Sequence, residues 1–370
     1  MNIGIDARFY SEAGGLGRYV KELIKELEKQ DSGNFYHIFL NQEGFKEYNP
    51  INPYFKKILA DVKWYTLAEQ IKMKKIIAAQ PIDLMHFPHW NIPFFYRRPF
   101  VITIHDLILL KFPSRRASTL GPLKYWIKNL AYRLILKHAI RSSKKIFAPS
   151  NFVKEDILNN FKVPAKKIII THEGLTVLPP PNPDTAAAIL QKFSLQKPYF
   201  LYVGVSYPHK NLEKLILGFK KFQEQEKKSQ LVLVGKKNYF YEKLEKFSEQ
   251  NKVPNVIFTD FVTNDELATL YQNAKAYVFP SLCEGFGLPP LEAMSFNLPI
   301  ASSNTSCLPE ILGNAALYFN PVSSADITEA LKRLTTDEKL RQKLISAGQE
   351  RIKFFSWQNC AQLTLQEYLK

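Results

Sequence analysis

The sequence predicts an α/β protein of two doubly wound parallel-sheet domains. Short apolar runs alternate with longer amphipathic stretches along most of the 370 residues. The apolar runs are nearly continuous, as in strands covered by helices on both faces. A Pro-Pro-Pro-Asn-Pro-Asp stretch at 179–184 separates two similar sets of strand-helix units. Four prolines so close together cannot continue a helix or a central strand. The expected domains are therefore 1–182 and 183–354.

In the first half, strands are expected at 2–5, 36–40, 83–87, 100–104, 145–148 and 168–171. In the second they are expected at 199–203, 231–234, 256–258, 276–279 and 299–301. Helical patterns lie at 17–29, 119–141, 211–227, 264–274 and 325–347. Folds of this class bind ligands at the carboxyl ends of their strands. Residues that directly follow a strand are thus the first candidates for chemistry.

The strongest such signal is the run Pro280–Met294, which follows strand 276–279. Gly285 and Gly287 free the backbone to approach a ligand closely. Pro289 and Pro290 suit the first turn of a helix starting near 288, whose N–H groups attract phosphate. Glu284 and Glu292 flank the loop, and carboxylates accept hydrogen bonds from hydroxyl pairs such as those of a sugar. Gly14, Gly15 and Gly17 form a second loop of this kind between the first strand and its helix. Lys210 follows strand 199–203 and offers a point charge for a diphosphate. His105 ends strand 100–104 beside Asp106. His86 and His89 resemble a metal pair, but the intervening proline and lack of carboxylate spacing favour acceptor-site or structural roles. No Asp-x-Asp pair occurs, so no metal ligand is assigned.

These elements together resemble the large family 4 of retaining glycosyltransferases, whose fold is GT-B: two Rossmann-like domains facing each other across a cleft. The Glu284-x7-Glu292 element matches that family's signature. Ile5–Arg8, Gly14–Tyr19, Thr103–Leu107, Pro149-Ser150, Gly204, Pro208–Asn211, Gly235 and Ser303–Glu310 match in order. The resemblance implies that a nucleotide diphosphate sugar is the donor, and that no cofactor and no metal are needed. Its donor-binding residues would be Gly15, Gly17, Gly204, Lys210, Glu284, Phe286, Gly287, Leu288 and Glu292. The catalytic group would be His105, near the reacting sugar carbon, with Lys210 and Glu284. Many members carry Arg after the glycine matching Gly204, where this chain has Val205. Either His209 supplies part of that charge or one cation does most of the work. The resemblance also implies that the last run, 355–370, crosses back to complete the first domain. The Pro208–Asn211 loop and the Thr171-x-x-Glu-Gly174 run look closest to bacterial mannosyltransferases of surface-polysaccharide assembly. GDP-mannose is the expected donor; UDP-glucose, UDP-galactose and UDP-N-acetylglucosamine stay open. The acceptor would be a glycan or a lipid-linked glycan. A non-catalytic sugar-nucleotide-binding relative is the other reading.

Charge adds a location. The chain carries 50 Lys+Arg against 34 Asp+Glu. Residues 1–184 hold 28 basic against 16 acidic, and 97–145 alone hold 12 basic residues and one acid, Asp106. Such an excess suits an anionic partner. No helix-turn-helix, zinc-finger or RNP signature is present, so nucleic acid is set aside. No apolar run reaches the ~18 residues of a membrane span. Three cysteines without metal spacing, and no signal-peptide pattern, point to a reducing, cytoplasmic setting. In 119–141, Leu120, Leu123, Ile127, Leu130, Leu134 and His138 form one stripe, expected to pack on the sheet. Lys124 and Lys128, with Arg97, Arg98, Arg115 and Arg116, would face the acceptor or the inner face of the cytoplasmic membrane.

Overall fold

In a computed structural model the chain folds as two compact units, Met1–Gly174 with Ser356–Lys370, and Leu175–Phe355. The structure describes every residue except 13, 113–120 and 197, and leaves out the side chain of 122.

The first unit holds seven strands: β1 (Asn2–Asp6), β2 (Phe35–Leu40), β3 (Phe55–Leu59), β4 (Leu84–Phe87), β5 (Phe100–Thr103), β6 (Ile146–Ala148) and β7 (Ile168–Ile170). They pair in the order β3-β2-β1-β4-β5-β6-β7, all parallel. The second unit holds β8 (Tyr199–Val203), β9 (Gln230–Val234), β10 (Val256–Phe258), β11 (Ala276–Phe279), β12 (Ile300–Ser303) and β13 (Ala316–Phe319). Their order is β10-β9-β8-β11-β12-β13, again all parallel. Strand order reverses between β1 and β4, and between β8 and β11. Each reversal opens a crevice at the carboxyl ends of those strands.

Central strands are apolar on both faces because helices cover both. Every residue of β4, β5 and β11 is buried. Each fully buried aliphatic side chain there contributes ~1.5–3 kcal/mol relative to exposure. Two strands were not anticipated, β3 and β13. Both are sheet edges, and β3 (Phe-Lys-Lys-Ile-Leu) carries two lysines, as an edge exposed to water does. The expected helix 325–347 is two helices, Ser324–Thr336 and Glu338–Ile352. Asp337 breaks them, its carboxylate accepting from Leu340 N at 2.9 Å as the cap of the second.

The stripe expected to pack on the first sheet does the opposite. In helix Pro122–Ser142, Leu123, Ile127, Leu130 and Leu134 are 53–73% exposed, and Trp126 beside them is 59% exposed. Tyr132, Leu136, Ala139 and Ile140 are buried instead. Leu136 is two residues, some 200°, from Leu134, so the core-facing side is nearly opposite the predicted one. The helix is apolar on two faces, and periodicity alone does not choose between them. Leu120 lies outside the described residues.

Helix Trp357–Tyr368 belongs to the first unit, packing beside helix Gly15–Gln30. Trp357 meets Tyr19 edge-on, Glu367 pairs with Lys145 at 2.8 Å, and the Tyr368 hydroxyl is 2.5 Å from His86 Nδ1. No described helix is long and apolar enough to cross a membrane.

Candidate active site

In the second unit, the chain leaves β8 through Gly204, whose N–H donates to Val234 O and whose carbonyl accepts from the Tyr241 hydroxyl at 2.6 Å. A short turn over Pro208–Lys210 follows, closed by Asn211 in the left-handed region (φ 61°), which Asn tolerates better than most residues. The Asn211 amide donates to Pro280 O at 3.1 Å and Pro321 O at 2.8 Å. These bonds tie the loop after β8 to the loop after β11. As a result Lys210 Nζ reaches across the strand reversal to both Glu284 oxygens, at 2.7 and 2.9 Å.

The Glu284 loop is held from the other side. Leu282 N donates to His209 O, and Glu284 N to Ser306 Oγ at 3.1 Å. Ser303 and Thr305 hydroxyls donate to the carbonyls of Ser281 and Leu282, and Cys307 Sγ lies 3.2 Å from Phe286 O. The run Ser303–Cys307 thus serves as a clamp on the loop. Both members of the ion pair keep some access, at 16% and 10% side-chain exposure. An ammonium has three donors, so Lys210 retains one beyond its two bonds to Glu284. The carboxylate oxygens retain lone pairs for hydroxyl donors. A partly accessible cation and a hydrogen-bond acceptor thus stand side by side.

His209 does not supply the charge missing at Val205. Burial, with Lys210 beside it, pushes its pKa down to about 4 against the pull of Glu284, leaving the ring neutral near pH 7. Lys210 is the cation of this loop. Helix Leu288–Ser295 begins after Gly287 (φ 103°), a conformation a side chain would strain. Pro289 and Pro290 have no N–H, so its start offers only the amides of Gly287 and Leu288. Phe286 and Leu288 have buried side chains, Phe286 packing on Phe355, so only their backbone can serve a ligand. Glu292 is buried and accepts from Tyr271 OH at 3.1 Å.

In the first unit, Gly17 is required by packing, since a Cβ there would meet Glu12 O at 2.0 Å, whereas Gly15 has open space around it. His105 is held from two sides, Nδ1 by Glu173 Oε1 at 2.9 Å and Nε2 by Pro88 O at 3.0 Å, with Tyr19 edge-on to the ring. Asp106 accepts from Ile108 N and so orders the following turn. His86 is a core residue between Thr103 and Tyr368, and burial pushes its pKa down to about 3. A buried network lies after β1: Arg8 pairs with Asp6 at 2.7 Å and Glu69 at 2.6 Å, and Asn91 completes the Glu69 carboxylate. Burial acts to lower the Arg8 pKa, but the two carboxylates outweigh it and raise it.

The basic residues do not gather at this end. Arg97 and Arg98 precede β5, whereas His105 follows it. At ~3.3 Å per residue the strand separates them by more than 10 Å. Lys124 and Lys128 are exposed on helix Pro122–Ser142. Arg115 and Arg116 lie outside the described residues. Sequence reasoning missed Glu173, Asn211, Ser306 and the Arg8–Glu69 pair as members of these sites. The Thr171–Gly174 run that contains Glu173 was the available signal. Among the described residues no three His, Cys, Asp or Glu are grouped to hold a metal ion.

Two doubly wound units, one with a cation–carboxylate pair at its strand reversal, define a transferase of the GT-B type. The profile of the glycosyl transferases group 1 family matches residues 166–351, half of the chain, and that of Glycosyltransferase Family 4 matches residues 13–177. The chain belongs to the glycosyl transferases group 1 family. It is 29% identical to O-antigen chain mannosyltransferase B of Escherichia coli, across 77% of this chain and 74% of that protein. It is 28% identical to the O-antigen chain mannosyltransferase RfbU of Salmonella typhimurium, across 75% and 71%. Its fold is similar to that of sucrose-phosphate synthase from Thermosynechococcus elongatus, with a TM-score of 0.77 at 19% identity, covering 100% of this chain and 98% of that one.

Proposed function

We propose that the chain moves mannose from GDP-mannose to a glycan or lipid-linked glycan, with retention at the sugar carbon and without a metal. The observation that carries this reading is the Lys210–Glu284 pair at the β8–β11 reversal. The bond from the anomeric carbon to the diphosphate breaks, and its electron pair leaves with the diphosphate. Lys210 and the amides at Gly287 and Leu288 meet that charge. An acceptor hydroxyl bonds to the same face of the carbon and gives its proton to the departing phosphate oxygen. Glu284 and Glu292 hold donor hydroxyls, while His105, fixed by Glu173, contacts the sugar near the reacting carbon. The names of the two O-antigen relatives support mannose. The absence of Asp-x-Asp from the sequence supports metal independence. The exposed apolar stripe and its cations support work at the inner face of the cytoplasmic membrane.

A thermal-shift panel of GDP- and UDP-sugars tests the donor, since a ligand at 100 times its Kd stabilises by ~2.7 kcal/mol. GDP-mannose is expected to give the largest shift, and a larger one from a UDP-sugar overturns the mannose reading. Turnover is expected to persist in chelator, and anomeric NMR of the product is expected to show retention. Nucleotide-sugar binding with no hydrolysis or transfer would mark a non-catalytic relative.

A further inference from the structure

Tyr65 lies beyond β3, at the end of the first sheet where Arg8 follows β1, His89 follows β4 and His105 follows β5. Its backbone is left-handed (φ 60°), a costly conformation for a bulky side chain. Such strain persists only where the surroundings over-determine it, and it gathers at functional sites. Here the surroundings are the buried Arg8–Glu69–Asn91 network. Tyr65 N donates to Glu69 Oε2 at 2.8 Å, and the same carboxylate holds Arg8 and the Asn91 amide. Arg8 and Glu69 are fully buried. Replacing such a pair by packed apolar groups is often neutral or stabilising, so stability alone does not explain it. What an apolar core would lack is the charged acceptor that pins the Tyr65 amide.

The pinned backbone presents the ring. Tyr65 is 44% exposed, and its ring lies 21° from parallel to that of Trp90, with centroids 5.3 Å apart. Trp90 backs one face, which leaves the exposed area to the rest of the ring. Tyr132 braces Trp90 edge-on, and His89 meets Tyr65 edge-on. His89 adjoins Pro88, whose carbonyl lies 3.0 Å from His105 Nε2. Burial, then Glu69, and also Asp106 beside His105, raise the Tyr65 pKa against the pull of Arg8, so the phenol stays neutral. The ring is therefore uncharged, open, rigidly backed and next to the residue placed at the reacting sugar carbon. An aromatic face is electron-rich. The C–H groups on one face of a pyranose are polarised by their oxygens and complement it, while the hydroxyls turn outward.

We propose that Tyr65, backed by Trp90, is the platform on which a pyranose ring of the glycan acceptor stacks. Glu69 is a positioning residue that acts through the Tyr65 backbone. The inference rests on the glycan-acceptor reading above and adds the residue that selects a ring-shaped acceptor.

Tryptophan fluorescence of the full chain tests it, in titrations with methyl α-mannoside, methyl β-glucoside, methyl β-galactoside and methyl N-acetyl-β-glucosaminide. At least one pyranoside is expected to change the emission, since Trp90 lies under the platform. Mannitol, with hydroxyls but no ring, is expected not to. Tyr65→Asn suits the left-handed backbone but removes the ring, and is expected to weaken binding about tenfold. Tyr65→Phe is expected to keep it. Glu69→Gln is expected to weaken binding severalfold in the wild-type background and not in Tyr65→Asn. Equal losses in both backgrounds would overturn its positioning role. Saturation-transfer NMR from the aromatic protons of the wild-type chain needs no variant. Strongest transfer to ring C–H protons of the bound pyranoside supports the platform, and transfer confined to its methyl group overturns it. No response to any of the four pyranosides, an equal response to mannitol, or undiminished binding by Tyr65→Asn also overturns it. The GDP-mannose thermal shift reads the Lys210 site in the same protein, so failure of the donor reading is distinguishable from failure of the platform.

Discussion

The Glu173 carboxylate lies 2.9 Å from Nδ1 of His105. With Pro88 O on Nε2, it fixes the plane of a ring that follows β5 at the strand ends. A carboxylate that accepts from one ring nitrogen fixes the tautomer and orientation of an imidazole. Glu173→Gln is expected to lower kcat about tenfold with little change in donor KM. His105→Ala is expected to cost 10²–10³ in kcat, the typical loss for a preorganised polar group. Steady-state kinetics checks both, and a Glu173→Gln effect confined to KM would assign Glu173 to binding instead.

Lys210 is the cation on which the proposed leaving-group chemistry depends. Lys210→Ala is expected to reduce kcat by about 10²–10³, or ~3–4 kcal/mol of barrier. The same variant is expected to lose most of the thermal shift given by the donor. Near-normal turnover would remove Lys210 from its assigned role.

Asn211 contributes through two carbonyls rather than through substrate. Asn211→Ala would leave Pro280 O and Pro321 O without this donor, at ~1–3 kcal/mol in stability. It would also release the β8 loop from the β11 loop. Denaturant unfolding is expected to show the stability loss, with a fall in kcat that exceeds the loss of folded protein.

His86 makes stability depend on pH. Its folded pKa is about 3, far below the ~6.5 of an unfolded histidine. Below pH 6.5 the unfolded chain takes up a proton that the folded core refuses, so stability falls as pH falls from 6.5 towards 3. Between pH 7.5 and 5.5 this one residue is expected to cost ~1.4 kcal/mol. Urea midpoints at the two pH values, for wild type and His86→Asn, check it. An identical pH dependence in both proteins would exclude His86 as the source.

The central architecture was legible because buried parallel strands are written as near-continuous apolar runs, as in Phe-Val-Ile-Thr at Phe100–Thr103. The edge strand β3 was not, since its two lysines interrupt the apolar run, and β13 was missed although Ala-Leu-Tyr-Phe is apolar throughout. Lys210 and Glu284 were legible as residues that directly follow strands. Their pairing was not, because it depends on Asn211 and Ser306, whose roles arise from loops distant in sequence. The helix Pro122–Ser142 carries apolar residues on two faces, and only contact with the sheet reveals which is buried.

The return of the last helix sets an order of assembly. His86 finds Tyr368 and Lys145 finds Glu367 only across separations of 282 and 222 residues. A ribosome reaches those partners after the whole second unit has been synthesised. The first unit therefore begins earliest and finishes last, and in the interval its sheet must wait with His86 uncovered. Nascent chains stalled before Ser356 would present that incomplete face to chaperones.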